Sequence, residues 1–282
     1  MIDRLQRSWE LARECMQLLL QDKQLLVLPL LSSLAIVLLT VSFAVPLAPT
    51  LGAHLGRGTR GLSALAWVVL FVFYWLQYSI IIFFNTALVE VAMKRFDGVQ
   101  ASIGDGLRRA ASLLPVILIY AAIAASVGTL LRIVAERFGI FGRIVIGLIG
   151  LAWSVATALV VPVLAAENVG PIEAIGRSVE LIKKAWGEDI IGSAGIGVVF
   201  GLIMVATVIV GGMLVLAAFG AHRVALGVLL MVLLVLCVCL LALAQATLQG
   251  IYSAALYRYA SGDAALGGID KSLLEGAFRA RS

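Results

Sequence analysis

The sequence is 282 residues long, and 62% of them are hydrophobic while only 13% are charged. Soluble domains contain about 45–50% apolar and about 25% charged residues, so this composition excludes an ordinary water-soluble protein and indicates one that lipid covers. The net charge of +5 lies mostly between apolar runs. We therefore assign it to membrane topology and to contacts with anionic headgroups, and we expect no nucleic-acid partner.

Six apolar runs follow one another along the chain. They cover residues 25–47, 62–91, 113–131, 144–166, 190–219 and 224–257. A helix that crosses a bilayer needs about 20 residues, so the runs predict an all-α integral membrane protein, a six-helix transmembrane bundle. The second, fifth and sixth runs are longer than that, so their helices should tilt, kink or project beyond the bilayer.

The distribution of Lys and Arg predicts the orientation of these helices. Fifteen of the 21 basic residues lie before the first run, between the second and third, between the fourth and fifth, or after the sixth. Because segments rich in Lys and Arg stay in the cytoplasm, both termini are expected there. The predicted location is the bacterial inner membrane.

Three segments on the predicted cytoplasmic side are amphipathic. The first spans residues 5–19. In the second, Ser102 and Asp105 have the spacing of a capping box at a helix start. The third begins at Pro171, which suits the first turn of a helix. Its predicted apolar stripe consists of Ile172, Ile175, Val179, Ile182, Trp186 and Ile190.

These amphipathic helices are expected either to lie in the membrane interface or to pack against the ends of the bundle. In the interface, their basic and tryptophan side chains would contact lipid headgroups. The predicted headgroup contacts are Arg108, Arg109, Lys183, Lys184, Trp9 and Trp186.

Short repeats indicate tandem units in a single transmembrane domain. Residues 7–11 match residues 177–181, residues 84–92 match residues 252–260, and Ile103-Gly104 can be laid on Ile175-Gly176. We infer three parallel units, each an amphipathic helix followed by a transmembrane hairpin. The units cover residues 1–97, 98–168 and 169–260, with a cytoplasmic tail at 261–282.

Two stretches of the chain carry a resemblance to a known family. They are SWEL and LPLL at residues 8–11 and 28–31, and the segment from ENVG at 167–170 through WGE at 186–188. They resemble an uncharacterised bacterial family of six-helix membrane proteins, known only as a domain of unknown function. The resemblance implies a fold and no activity. Weaker likenesses are to sulfate-uptake permeases, through LPLL, and to glycerophosphodiesterase membrane domains, through ALYR at 255–258.

Motifs for chemistry are missing from the sequence. It has no Walker loop, metalloprotease helix or serine-hydrolase elbow, so no catalytic residue, cofactor or metal is predicted. Cys237 and Cys239 are interpreted as small core residues. Gly197 and Gly201, four residues apart, are interpreted as a helix-packing face.

Polar side chains inside the spans are the candidate functional residues, because lipid makes them costly. Four amides either line a polar cavity or bond between helices: Gln77, Asn85, Gln245 and Gln249. Glu90 and Arg258 occupy matching positions of the repeat, so we predict an interfacial ion pair between them.

Two functions fit this sequence. We favour a non-enzymatic scaffold or subunit, which binds a membrane-protein partner, a second copy of itself or anionic inner-leaflet lipid, because the spans contain no deep charge. The alternative is a transporter or channel for a small solute, such as an anion. A polar cavity formed by the four amides would favour the alternative.

Overall fold

The structure is a computed structural model, and it describes residues 23–54, 64–137, 139–184 and 189–262. Within these ranges the chain forms a 3₁₀ turn at Lys23–Leu26, nine α-helices and no strand. The helices are α1 (Val27–His54), α2 (Ala64–Phe96), α3 (Ile103–Ser112), α4 (Leu114–Arg137), α5 (Gly139–Ala156), α6 (Val160–Ala166), α7 (Pro171–Lys184), α8 (Asp189–Gly220) and α9 (Val224–Ser261). Six stretches are long and apolar enough to cross a membrane, so the predicted all-α fold with six spans is confirmed.

The fourth apolar run is two helices instead of one. α5 ends at Ala156, a turn covers residues 157–159, and α6 follows. Pro162 explains the break, because proline has no N–H for the carbonyl four residues earlier and its ring crowds that carbonyl. The first helix ends six residues before the proline, and the second begins two residues before it.

Both described amphipathic helices pack against the bundle. On α3, Gly106 and Ala110 are buried, and on α7, Ala174 and Leu181 are fully buried. A Cβ atom on Gly106 would lie 2.5 Å from the carbonyl oxygen of Ala87, so α3 touches the backbone of α2. The first amphipathic segment, including Trp9, lies outside the described residues.

α7 buries only part of the predicted stripe. Ile182 is buried, whereas Ile172 is 76% exposed. The buried face is centred on Ser178, which is fully buried. The Ser178 hydroxyl accepts a hydrogen bond from the Leu159 N–H at 3.2 Å and donates one to the Ala156 carbonyl at 2.8 Å. It thus bridges the break between α5 and α6. A serine occupies the centre of this face because it satisfies backbone groups that an apolar side chain would leave unpaired.

The buried contacts of α3 and α7 occupy matching positions in the sequence. The looser repeat, an offset of 72 residues, places Gly106 on Ser178. Gly106 contacts Ala87, 19 residues earlier, and Ser178 bonds to Leu159, also 19 residues earlier. The corresponding contact of the first amphipathic segment falls outside the described ranges, so the three-unit arrangement stays a prediction.

The hydrophobic core lies at one end of the bundle. α2, α6 and α9 contact one another there, and their core side chains include Val91, Leu164 and Ile251. This end also carries the turn at residues 97–102 and the loop at residues 167–170. It is called the polar end below, because it holds the ion pairs described in the next section.

α2 packs on both α1 and α4 well beyond the polar end. The rings of Phe43 on α1 and Phe73 on α2 are 5.3 Å apart. The indole N–H of Trp75 on α2 donates to the carbonyl of Leu118 on α4 at 2.9 Å. α5 in turn packs on α4. An aromatic contact therefore joins α1 to α2, and a hydrogen bond joins α2 to α4, within the predicted spans.

α8 and α9 form a hairpin that packs chiefly on itself away from the polar end. Buried and half-buried positions recur every three to four residues on each helix, and a Cβ on Gly211 would lie 2.4 Å from a methyl of Leu234. Most other side chains of residues 201–243, called the arm below, are exposed. Cys237 and Cys239 are among them, so the prediction that both are core residues is wrong.

The packing glycines differ from the predicted ones. A Cβ on Gly197 or Gly201 would meet no atom within 4 Å, so these two form no packing face in the described chain. Gly250 does lie on a packing face, because a Cβ added to it would lie 2.5 Å from the side chain of Leu88. Spacing alone therefore does not select the face on which helices meet.

Candidate functional site at the polar end

The four amides predicted as a polar lining have unequal exposure. Gln77, Asn85 and Gln245 are half-buried, and Gln249 is exposed. A shallow groove between α8 and α9 is lined instead by apolar side chains and one threonine. These residues are Ala206, Thr207, Val210, Gly211, Leu214, Leu230, Leu233 and Leu234.

Arg109, predicted to contact headgroups, instead closes the end of α6. Its Nε and Nη2 atoms donate to the Ala165 carbonyl at 3.1 and 2.8 Å, and Nη2 also donates to Asn168 Oδ1 at 3.0 Å. The last carbonyls of a helix have no donor within the helix and carry partial negative charge. The guanidinium satisfies one of them and fixes α3 to α6.

Glu167 joins three helices at the polar end. Its Oε1 atom accepts hydrogen bonds from the Tyr257 hydroxyl of α9 at 2.8 Å and from Arg177 Nε of α7 at 3.3 Å. Arg177 also donates to Glu180 at 3.3 Å. The hydrogen bond and the charge of Glu167 raise the pKa of Arg177 above its ordinary value. The end of α6 is thereby connected to both α7 and α9.

Arg258 pairs with Asp97, two helical turns beyond the predicted partner Glu90. Arg258 is 7% exposed. Its guanidinium donates to the Met93 carbonyl at 3.2 Å and forms an ion pair with the Asp97 carboxylate. Glu90 pairs with Lys94 of its own helix at 3.0 Å. An ion pair does join α2 and α9, but the sequence indicated the wrong acid.

The register of α2 against α9 explains this correction. Gly250 packs on Leu88, and both helices run toward the polar end. Both helices rise equally per residue. Eight residues after this contact, Arg258 therefore lies beside the last turn of α2, and Asp97 is the next residue of that chain segment.

The capping box at the start of α3 is confirmed. The Ser102 hydroxyl accepts from the Asp105 N–H at 3.2 Å, and the Asp105 carboxylate accepts from the Ser102 N–H at 3.0 Å. Hydrogen bonds from Ser102 hold the pKa of Asp105 below its usual value. Arg108 is exposed beside it, 3.5 Å from the Asp105 carboxylate.

The other predicted headgroup contacts are described only in part. Lys183 is exposed on α7, and the headgroup contacts of Lys183 and Arg108 stay predictions. The side chain of Lys184 and the whole of Trp186 lie outside the described part of the chain.

Sequence reasoning missed several residues of the polar end. Ser178 stands in the repeated Arg-Ser pair, and Asn168 stands in the ENVG stretch, so both had a sequence signal. Pro162 inside an apolar run signalled the break. Tyr257 stands in the ALYR stretch and in the second repeat, but Asp97 had no local signal, because its partner is distant in the sequence.

The chemistry of the polar end is that of a structural junction. Its carboxylates, guanidinium groups and hydroxyls bond to one another and to helix ends. Within the described residues, no three His, Cys, Asp or Glu side chains are grouped as metal ligands. The arrangement fixes the ends of six helices relative to one another.

A family comparison covers this junction. The profile of a family of unknown function, DUF6159, matches residues 64–267, which is more than half of the chain. The chain belongs to this family. The DUF6159 match begins at the first residue of α2 and includes α3, α6, α7 and α9, so it contains every ion pair of the polar end described above.

The family resemblance inferred from the sequence is thus confirmed, although the stretch at residues 8–31 precedes the DUF6159 match. No curated protein and no solved structure matches the chain significantly. Because DUF6159 has no assigned function, the function has to be inferred from the geometry.

Proposed function

We propose that the protein is a non-enzymatic membrane scaffold or subunit, which binds a partner protein within the bilayer. Anionic lipid of the inner leaflet is its proposed second ligand. The proposed location is the bacterial inner membrane, with both termini cytoplasmic. The observation that supports this most is the arm, because it crosses the apolar layer without support from the other spans.

The arm offers an apolar surface on almost every side. Leu202, Met213 and Leu216 are 65%, 66% and 72% exposed, and residues 201–221 hold no charged residue. A partner that covers such a surface must itself lie in the hydrocarbon, so its matching element is one or more transmembrane helices.

The polar end supports the same proposal. Its charged groups are engaged in holding helix ends together, as Arg109 and Arg258 are. A rigid junction that anchors a free hairpin suits a protein whose work is binding. The partner is either another membrane protein or a second copy of this chain.

Co-purification in lipid nanodiscs tests the proposal. The wild-type protein and two arm variants, M213W and L216W, are isolated from the native membrane and analysed by mass spectrometry. The matched control is L38W, because Leu38 of α1 is 61% exposed. We expect a stoichiometric partner with the wild type and with L38W, and at least a tenfold loss with the arm variants. Equal recovery from all four would contradict the proposal.

The alternative, a transporter or channel, is supported by the half-buried amides Gln77, Asn85 and Gln245. Its test is solute flux through vesicles reconstituted with the purified protein. Flux that falls in Q77A and Q245A but persists in M213W would favour transport over the scaffold.

A further inference from the structure

Three of the described helices are much longer than a bilayer is thick. α9 has 38 residues, α2 has 33 and α8 has 32. At 1.5 Å per residue these are about 57, 50 and 48 Å long, whereas the hydrocarbon layer is about 30 Å thick. About 27, 20 and 18 Å of α9, α2 and α8 therefore extend beyond the hydrocarbon unless the helices tilt strongly.

The excess length lies at the polar end. At the opposite end α8 and α9 are joined by a turn of three residues that includes Arg223, and a charge there cannot enter the hydrocarbon cheaply. About 20 residues counted from this turn reach Gln245 on α9 and Phe200 on α8. Phe200 is buried in the core, and Gln245 is followed one turn later by the exposed Gln249.

α4 gives the same level independently. The apolar stretch Leu114–Ala135 of α4 has 22 residues and starts directly after α3. Three counts on three helices thus end where the structure changes: at a first core residue of α8, at the junction of α3 with α4, and one turn before the exposed amide of Gln249 on α9.

Most of the buried core lies beyond this level. Val91, Leu164 and Ile251 are buried there, and so are the ion pairs of Arg258 and Glu167. Burial of apolar side chains is driven by water, whereas lipid gives helices no hydrophobic reason to associate. A dense core at one end and an exposed arm at the other are therefore expected if the polar end stands in water.

We infer that the bilayer ends at the level of Gln245, Phe200 and Leu114. The polar end projects beyond it by roughly 20 Å, and α3 and α7 lie beneath the membrane surface. The exposed side chains of Gln249 and Arg108 form the contact surface for the phospholipid headgroup layer. This inference does not depend on the proposed function.

Thiol labelling in nanodiscs tests the level. Three single-cysteine proteins are compared. Two carry Q249C or I172C in a cysteine-free background (C15S, C237S, C239S), and the third carries only C15S and C239S, so that Cys237 is its single cysteine. All three positions are exposed in the structure. A charged, membrane-impermeant maleimide should modify Q249C and I172C at least tenfold faster than Cys237, because the reactive thiolate forms in water. Denatured samples give the maximum labelling of each.

Fluorescence quenching tests the headgroup contact. A fluorophore on Q249C or R108C should be quenched more by lipid with a nitroxide on its headgroup than by lipid with a nitroxide in mid-chain, and a fluorophore on Cys237 the reverse. The inference is overturned if Q249C or I172C is as protected as Cys237, or if the Q249C and R108C fluorophores respond chiefly to the mid-chain nitroxide.

Discussion

The polar end and the arm share the long apolar helix α9, yet they differ in how their helices are held. At the polar end, side chains from three helices bond to ends and breaks of their neighbours, as Ser178, Arg109 and Arg258 do. In the arm, Thr207 is the only residue with a hydroxyl group, and it donates to the carbonyl of Ile203 on its own helix. Apolarity makes a helix cross the membrane, whereas specific bonds and small residues decide where it stays.

Removing the Ser178 hydroxyl should have the largest effect at the polar end. In S178A the Leu159 N–H and the Ala156 carbonyl lose their partner, and each buried unsatisfied group costs about 1–3 kcal/mol. The measurement is the free energy of unfolding in lipid nanodiscs. The control is S33A, because the exposed Ser33 hydroxyl bonds only to its own helix, and its change should stay within about 0.5 kcal/mol. Equal stability of both variants would show that the break needs no bridge.

The second-largest effect is expected from replacing a packed glycine with alanine, which should destabilise the polar end more than the arm. In G106A the new Cβ meets the Ala87 carbonyl oxygen at 2.5 Å, and backbone cannot move aside, so we expect a loss of about 1–3 kcal/mol. In G211A it meets only the methyl end of Leu234, which can rotate within an exposed hairpin. A smaller loss is expected there, measured by the same unfolding assay. If G211A were the more damaging change, the arm would be the more tightly packed region.

The ion pair between α9 and α2 should give the smallest of these effects. A double-mutant cycle of R258A with D97A is expected to show a coupling energy of about 0.5–3 kcal/mol, as contacting residues do. The same cycle with E90A should show almost none, because Glu90 pairs with Lys94. Comparable coupling in both cycles would restore the partner that the sequence suggested.

Local features of the site were predictable from the sequence. The capping box of Ser102 and Asp105 and the helix start at Pro171 were predicted, because each depends on residues within one turn. The partners of Arg258 and Arg109 were not, since Asp97 and Ala165 are brought near by the packing of separate helices. The three- and four-residue spacing of apolar side chains predicted only part of the buried face of α7. That face is centred on Ser178, which bonds to the break between α5 and α6.

The sequence by itself determined that six long apolar helices cross a membrane, because hydrophobic length and the spacing of charges are properties of the chain alone. It also determined the family, through residues 64–267. The tertiary structure decided which ends of those helices meet, which glycines they meet at and which hairpin stands apart. Those outcomes depend on contacts between distant residues, and lipid-exposed helices of uniform apolarity carry no pattern from which such contacts can be read.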